Sequence, residues 1–173
     1  LTSGAFSLAG ADWPEDYELL QTHLEEARYG QTITVVNDAL GALRAGSPDG
    51  TGVVVVCGTG VATGARGPDG QSWHASFWQD ANGASEMGRR ALWAICRAEL
   101  GIDPPTDMKA RALELFNEPS VESLLHHLTS RQSAEEASRI GLLAPVLLDA
   151  ADDDDETAST IVCDLGNRLG DYA

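Results

Sequence analysis

The sequence predicts an α/β protein, because β-branched runs alternate with helical periodicity in its first half and helical periodicity alone continues to its end. Three observations carry this prediction. A β-branched run, a polar junction and a helical segment follow one another over residues 32–45. A continuous apolar run at 52–57 is followed by two glycine-containing turns. From residue 84 onward, apolar residues recur every three or four positions.

The first two elements are predicted around residues 14–45. Pro14, followed by Glu15 and Asp16, is a helix-start signal, and we expect a helix over residues 14–29. Its apolar residues recur at helical spacing: Tyr17, Leu20, Leu24 and Ala27. A short strand, Thr32 to Val36, then ends at Asn37 and Asp38, which can cap the A-L-G-A-L-R-A helix that follows.

Residues 51–78 predict a meander of three antiparallel strands. The run G-V-V-V-V-C at 52–57 is typical of a strand buried on both faces. Gly58-Thr59-Gly60 breaks this run, V-A-T-G-A-R resumes it, and the turn at 67–70 precedes a third strand from Ser72 to Trp78.

The remainder, residues 84–173, is predicted to be helical. The first helix begins near Ala84 and ends near Gly101, before Pro104-Pro105. Further helices are expected at 107–116, 120–130, 133–151 with an interruption near Pro145, and 156–170. The acidic run from Asp152 to Glu156 could suggest a metal site, but consecutive acids cannot all face one ion. A solvated turn or helix start is favoured.

Composition excludes several function classes. The net charge of −16 disfavours nucleic acid as a partner. The three cysteines, Cys57, Cys96 and Cys163, lie far apart without CxxC spacing, which gives neither a zinc signature nor a disulfide framework and favours a cytoplasmic location. No apolar stretch approaches the roughly 20 residues of a membrane-spanning helix, so no membrane partner is expected.

Two motifs could carry chemistry. Asn37 and Asp38 stand at the carboxyl end of a strand, where α/β proteins commonly place ligand groups, although the same residues could merely cap the next helix. Gly58-Thr59-Gly60 lies at a hairpin tip, where backbone N–H groups can cradle phosphate oxygens, although any tight hairpin can use glycines. Neither motif is specific alone.

Together these motifs resemble the BadF/BadG/BcrA/BcrD ATPase family, which includes N-acetylglucosamine kinases. The resemblance spans nearly the whole chain and is most specific over residues 33–64, which include V-V-N-D-A-L-G-A-L-R-A-G-S-P-D-G-T-G-V-V-V-V-C-G-T-G-V-A-T-G. Residues 6–16 are similar to the Leu-Ala-Gly segment of the family, and residues 143–152 to its helix before an acidic bend. The resemblance implies an actin-like ATPase fold with two ribonuclease-H-like lobes: residues 1–48 would finish lobe one, and residues 49–173 would form an incomplete lobe two with a helical C-terminal part.

The resemblance also implies site residues. Asp38 would accept the proton of the sugar hydroxyl that attacks the γ-phosphoryl group, Asn37 would help to hold the sugar, and Gly58, Thr59 and Gly60 would bind ATP phosphates. In S-W-H-A-S-F-W-Q-D-A-N-G-A-S, residues 72–85, Asp80 matches an acid that binds sugar hydroxyls, and Trp73 or His74 matches a sugar-contacting tryptophan. Asp80 and Asp38 should then lie within roughly 10 Å of each other.

Several of these residues have simpler interpretations. Trp73, Phe77 and Trp78 could pack the third strand, and His74 is interpreted as a surface or packing residue. The other histidines have no acidic or cysteine partners at metal-ligand spacing, so no metal site is expected from His23, His126 and His127. Gln79, Ala81 and Asn82 replace the usual Gly, Glu and Gly of the family, which puts N-acetylglucosamine itself in question as the substrate.

The expected function is part of an ATP-dependent kinase of an amino sugar or related hexose, with ATP and Mg²⁺ as co-substrate and cofactor. The first phosphate-binding hairpin and the adenosine-binding segment of such kinases are absent, so we expect a fragment that is inactive alone. Alternatives are a non-catalytic sugar-sensing module and an iron–sulfur ATPase that activates a radical enzyme, whose closely spaced cysteines this chain lacks. The expected partners are sugar and ATP, with a homodimer as a further option.

Overall fold

The structure is a computed structural model that describes residues 2–80, 83–130 and 137–173. Two compact units make up the chain. Unit 1 comprises Leu1–Val56, Val61–Asp80 and Tyr172–Ala173, and unit 2 comprises Cys57–Gly60 and Ala81–Asp171. The predicted lobe boundary near residue 48 concerns a two-lobed kinase and stays a prediction.

The elements follow one another in an α/β order that ends in helices. The strands are β1 (Ser3–Leu8), β2 (Thr32–Asn37), β3 (Gly52–Cys57), β4 (Val61–Arg66) and β5 (Ser72–His74). The α-helices are α1 (Pro14–Glu26), α2 (Asp38–Gly46), α3 (Ala84–Glu99), α4 (Met108–Phe116), α5 (Val121–Thr129), α6 (Leu143–Asp152) and α7 (Glu156–Gly170). Two 3₁₀ segments cover Ser76–Trp78 and Ala137–Leu142.

Strands β1 and β2 form a parallel pair joined by α1. Their register runs from Ser3 opposite Thr32 to Leu8 opposite Asn37, so both strands end at the same edge. The sequence did not predict β1, because S-G-A-F-S-L holds small residues of low strand propensity and has no polar–apolar contrast that marks a strand. This parallel pair is the feature that positions the candidate site.

Helix α2 packs closely on β1. A Cβ at Gly41 would overlap the side chain of Ser7, so only glycine allows this approach. The buried residues of α2 are Ala39 and Leu43, and the helix also contacts β4. Close packing therefore fixes the start of α2 relative to the strand ends.

The second sheet has the order β3-β4-β5, which confirms the predicted strand sequence. Two details of the prediction are wrong. Strand β3 is not buried on both faces: it lies at the sheet edge, and Val53, Val55 and Val56 are exposed. The third strand ends at His74 rather than Trp78, because Ser76 adopts a positive φ of 37° and the chain turns into a 3₁₀ segment.

Unit 2 is a helical unit with an apolar core. Its fully buried residues include Ile95 of α3, Met108 of α4, Leu124 of α5 and Leu147 of α6. The predicted 133–151 helix is interrupted close to Pro145, where a 3₁₀ segment ends at Leu142 and α6 begins at Leu143. Pro145 lies in the first turn of α6, where a proline removes no intrahelical hydrogen bond. Residues 133–136 of the predicted helix lie outside the described residues.

The acidic run at residues 152–156 contains the N-cap and the first residue of α7. Asp155 is the N-cap, and its carboxylate accepts hydrogen bonds from the backbone N–H of Ala158, the Thr106 hydroxyl and the Asp107 N–H. The helix-start interpretation of residues 152–156 is confirmed for Asp155. Within the described residues, no helix is both long and apolar enough to cross a bilayer.

Adjacent leucines of α6 test the core assignment of unit 2. Leu147 is fully buried whereas Leu148 is 43% exposed. We expect Leu147→Ala to lower the free energy of unfolding by about 2–5 kcal/mol, since it removes buried methyl groups and leaves a cavity. Leu148→Ala is the matched control and should cost less than about 1 kcal/mol. Urea unfolding followed by circular dichroism measures both; equal losses would contradict the assignment.

Candidate functional site

The candidate site lies in unit 1 at the edge where β1 and β2 end. Asp12 follows β1 across the turn at 9–11, and Asn37 and Asp38 stand at the junction of β2 and α2. The carboxyl ends of parallel strands are the usual place for ligand groups in α/β proteins. The parallel pairing thus brings two acidic side chains and one amide to one edge.

Asn37 is the most constrained residue of this edge. It is 2% exposed, and every polar group of its side chain has a protein partner. Its Oδ1 accepts from the Ala39 N–H at 3.0 Å, which caps α2. Its Nδ2 donates to the Ala11 carbonyl and to Asp12 Oδ1, both at 3.1 Å. The capping interpretation of Asn37 is confirmed, and its proposed sugar contact stays a prediction.

One carboxylate oxygen of Asp38 has no hydrogen-bond partner within the described part of the chain. The residue is partly buried, and its Oδ1 accepts from the Ala39 N–H at 2.9 Å. No residue that the structure describes hydrogen-bonds to Oδ2. The Ser7 hydroxyl lies 3.3 Å from the Asp38 carbonyl and donates to it, which ties the backbone to β1. Asp38 is therefore held in place by one oxygen while the other can accept a proton.

A chain of hydrogen bonds links Asn37 to β5. Asp12 Oδ1 accepts from the Ser76 hydroxyl at 2.5 Å, and Ser76 Oγ lies 2.7 Å from His74 Nδ1. His74 Nε2 lies 3.3 Å from the Tyr17 hydroxyl. We call Tyr17, His74, Ser76, Asp12 and Asn37 the polar network. It fixes the Asp12 carboxylate, which in turn orients the Asn37 amide.

The Asp12 carboxylate sets the direction of this network, because it accepts from the Ser76 hydroxyl. Ser76 Oγ has then used its only proton, so it accepts from His74 Nδ1–H. A neutral ring with its proton on Nδ1 accepts from the Tyr17 hydroxyl at Nε2. Burial raises the pKa of this hydroxyl, and the negative charge of Asp12 acts in the same direction, so Tyr17 keeps its proton.

Three members of the polar network were not predicted as site residues: Asp12, Tyr17 and Ser76. Asp12 could have been found if β1 had been recognised, because the residue would then follow a strand end. His74, interpreted from the sequence as a surface or packing residue, is partly buried, and its ring hydrogen-bonds to two network members. Tyr17 and Ser76 carry no local signal, because long-range folding brings them together.

Exposed aromatic rings border the polar network. The Trp13 and Phe77 rings stack at a centroid distance of 6.2 Å and an interplanar angle of 6°. Phe77 and Trp78 are 74% and 73% exposed, so their interpretation as strand-packing residues is wrong. Trp73 on β5 is half exposed. Large exposed aromatic surfaces are costly in water and commonly mark contact sites.

Asp80 and Gln79 follow the 3₁₀ segment. The backbone N–H of Asp80 donates to the Tyr172 hydroxyl, and the residue is exposed. Gln79 Nε2 donates to the Val61 carbonyl, while its buried Oε1 has no partner among the described residues. Such an oxygen is an acceptor for a ligand hydroxyl or a water. The expected closeness of the Asp80 and Asp38 carboxylates stays a prediction. Ala81 and Asn82 lie outside the described residues.

The Gly58-Thr59-Gly60 turn belongs to unit 2, where it packs against the start of α3. The Ala84 N–H donates to the Gly58 carbonyl at 2.8 Å, and a Cβ at Gly83 would lie 2.6 Å from the Gly60 backbone. By contrast, a Cβ at Gly58 or Gly60 would meet no atom within 4 Å. Neither glycine is required by side-chain packing, and the Gly58 N–H donates to the Gly60 carbonyl at 2.8 Å.

The described residues contain no group of three or more His, Cys, Asp or Glu side chains arranged to hold a metal ion. Mg²⁺ that is bound together with a nucleotide keeps several waters and takes one or two carboxylates beside the phosphates.

The His74 tautomer provides a direct test of the polar network. At about pH 8, at which an isolated histidine is neutral, ¹⁵N NMR of the ring should show the proton on Nδ1. Ser76→Ala removes the acceptor and should shift the tautomer population toward Nε2–H, whereas Ser85→Ala outside the network should not. A wild-type ring protonated on Nε2 would contradict the assigned hydrogen-bond direction.

Comparison with known proteins finds similarity to sugar kinases. The chain is 27% identical over 124 residues to the N-acetylmuramic acid/N-acetylglucosamine kinase of Clostridium acetobutylicum, covering 69% of this chain and 40% of that protein. It is 25% identical over 171 residues to the N-acetyl-D-glucosamine kinase of Dictyostelium discoideum, covering 95% and 53%. The chain spans about half the length of these relatives. No protein-family profile matches the chain.

Solved structures show the same fold. A Chromobacterium violaceum protein assigned as an N-acetylglucosamine kinase superposes with a TM-score of 0.72 at 20% identity, over 97% of this chain and 58% of that one. A Porphyromonas gingivalis protein with the same assignment gives a TM-score of 0.67 at 17% identity, over 94% and 56%. The chain is therefore an α/β protein that shares the fold of these two structures and is similar in sequence to curated N-acetylglucosamine kinases.

Proposed function

We propose that this chain is part of an ATP-dependent kinase that phosphorylates an amino sugar related to N-acetylglucosamine. The similarity to curated sugar kinases supports the reaction class. We further propose that the chain contributes to two ribonuclease-H-like lobes. We also propose that the protein is cytoplasmic and forms a homodimer.

The observation that carries the proposal is the geometry of Asp38. A kinase that acts on a hydroxyl needs a positioned carboxylate with an oxygen free to accept the hydroxyl proton. Asp38 stands at a strand end, its Oδ1 is held by the Ala39 N–H, and its Oδ2 is not hydrogen-bonded by any described residue. These are the properties of a general base.

The chemistry assigned to this chain is proton acceptance and orientation. A sugar hydroxyl attacks the γ-phosphorus of ATP, the bond from that phosphorus to the bridging oxygen of ADP breaks, and Asp38 Oδ2 accepts the hydroxyl proton. Asn37 and Asp12 keep the start of α2 fixed during this step. Mg²⁺ bound with the nucleotide would offset phosphate charge.

Sugar recognition is proposed for the groups around this edge. Asp80 and Asn37 are the proposed polar contacts, and Trp73 is the proposed aromatic contact. The buried, unpartnered Oε1 of Gln79 adds an acceptor for a sugar hydroxyl. Gln79 replaces a glycine of the resembled motif, and an amide acceptor there would change which sugar substituent fits.

The Gly58-Thr59-Gly60 turn is proposed to bind ATP phosphates. Its glycines leave open space where side chains would stand, so phosphate oxygens can approach the backbone. Backbone N–H groups of such turns are established donors to phosphate.

Substitution of Asp38 tests the general base. In the protein assayed for N-acetylglucosamine phosphorylation, we expect Asp38→Asn to lower kcat at least about a hundredfold while sugar binding is retained, as is typical of a lost general base. Asp69→Asn, in the turn before β5, is the control and should leave kcat unchanged. A near-normal rate in Asp38→Asn would refute the role, and sugar binding without turnover in the wild type would favour a sugar sensor.

Substitution of Gly60 tests the phosphate-binding turn. Gly60→Val should raise KM for ATP by about tenfold or more and KM for the sugar much less, because its methyl groups would occupy the space proposed for phosphate. Gly46→Val is a control at a glycine whose Cβ position also meets no atom within 4 Å. Equal increases in both KM values would instead indicate a folding defect and contradict the assignment.

A further inference from the structure

We propose that a second cleft of unit 1 binds the phosphate group of a small molecule. The cleft measures about 470 Å³. It lies between α2, β1, the turn before β3 and the turn after β4. We call it the arginine cleft, and its polar lining includes Arg44, Arg66, Ser7 and Ser72. The proposal does not depend on kinase activity.

Two guanidinium-bearing side chains reach the same turn. Arg44 lies in the last turn of α2 and Arg66 at the end of β4. Arg44 Cδ lies 3.2 Å and Arg66 Nη1 3.6 Å from the position of a Cβ built on Gly50. Arg66 Nη2 lies 3.9 Å from the corresponding position on Gly70. Both arginines therefore border one small region of the cleft.

Neither arginine is neutralised by a carboxylate of the described chain. Among the residues that the structure describes, the Arg66 guanidinium has no hydrogen-bond or ion-pair partner, and the Arg44 guanidinium donates only to the Ser47 carbonyl. Four other arginines of the described chain pair with acids: Arg89 and Arg90 with Glu86, Arg97 with Asp103, and Arg111 with Asp153. Arg44 and Arg66 differ from these four because both border one cleft and keep their charge available to a ligand.

Asp49, the acidic residue nearest to Arg44 in the sequence, hydrogen-bonds within the 47–51 turn instead. Its Oδ1 accepts from the Thr51 N–H, the Thr51 hydroxyl and the Ser47 hydroxyl. These hydrogen bonds, that of the Thr51 N–H first, lower the pKa of Asp49 to about 2. The carboxylate is thus ionised and engaged in the 47–51 turn, and it forms no ion pair with Arg44 or Arg66.

The chemistry of the cleft fits a phosphate dianion. A guanidinium group donates two parallel hydrogen bonds to phosphate oxygens, so two guanidinium groups match two negative charges. The Ser72 hydroxyl can add a hydrogen bond, and Val36, Leu40 and Leu43 supply an apolar wall. The volume lies in the usual range for small-molecule sites. Free phosphate and a phosphorylated metabolite share this chemistry.

The arginine cleft is separate from the Asp38 carboxylate. Asp38 begins α2, and Arg44 stands six positions later in its last turn. A rise of about 1.5 Å per residue separates them by about 9 Å along the helix axis. The arginine pair of the cleft therefore lies toward the opposite end of α2 from the Asp38 carboxylate.

Calorimetric titration tests the proposal with inorganic phosphate, glucose 6-phosphate and unphosphorylated glucose at constant ionic strength. We expect saturable binding of at least one of the two phosphate compounds and not of glucose. Arg44→Met and Arg66→Met should each weaken this binding about tenfold or more, since each removes a charge-assisted contact. Arg28→Met is the matched control, an exposed arginine outside the cleft, and should leave it unchanged.

The two phosphate compounds distinguish the sources of the ligand. Tighter binding of glucose 6-phosphate supports a phosphorylated metabolite, and equal binding supports free phosphate. Thermal melts of each variant establish that the fold is intact. Absence of binding by both compounds up to about 10 mM, a concentration that would detect millimolar affinity, would overturn the proposal. Binding that persists unchanged in both arginine variants would also overturn it.

Discussion

The buried amide of Asn37 is the interaction on which the candidate site depends. Its three hydrogen bonds join it to the start of α2, to the turn after β1 and to the Asp12 carboxylate. A buried hydrogen-bonding group left without its partner costs about 1–3 kcal/mol, so loss of this amide would affect all three. The position of Asp38 follows directly, because it is the next residue in the chain.

Backbone topology makes this arrangement possible. The parallel pairing of β1 and β2 places Leu8 opposite Asn37, so the turn after β1 lies within reach of the Asn37 side chain. The 3₁₀ segment after β5 then brings Ser76 to Asp12. Positive φ at Ser76 is an unfavourable conformation for a residue with a side chain, and the hydrogen bonds of the polar network help to offset its cost.

The sequence predicted the parts of the site that local patterns encode. Asn37 and Asp38 were recognised because a β-branched run precedes them and a helical segment follows. Asp12 was missed because β1 has no recognisable strand pattern, and Tyr17 and Ser76 because only tertiary folding joins them to Asp12. The prediction that β3 is buried on both faces was wrong, because an apolar run does not reveal whether its strand lies at a sheet edge. Helices with strong periodicity, such as α3 and α7, were predicted closely.

The central claim is that an amino sugar binds at the edge where β1 and β2 end. Its most direct test is titration of N-acetylglucosamine into ¹⁵N-labelled protein, followed by NMR at the Asn37 side-chain amide, the Ala39 N–H and the His74 ring. We predict saturable shifts at these three groups, and none at the α4–α5 connection of unit 2. Saturable shifts confined to other parts of the protein, or no shift at any sugar concentration, would contradict the account.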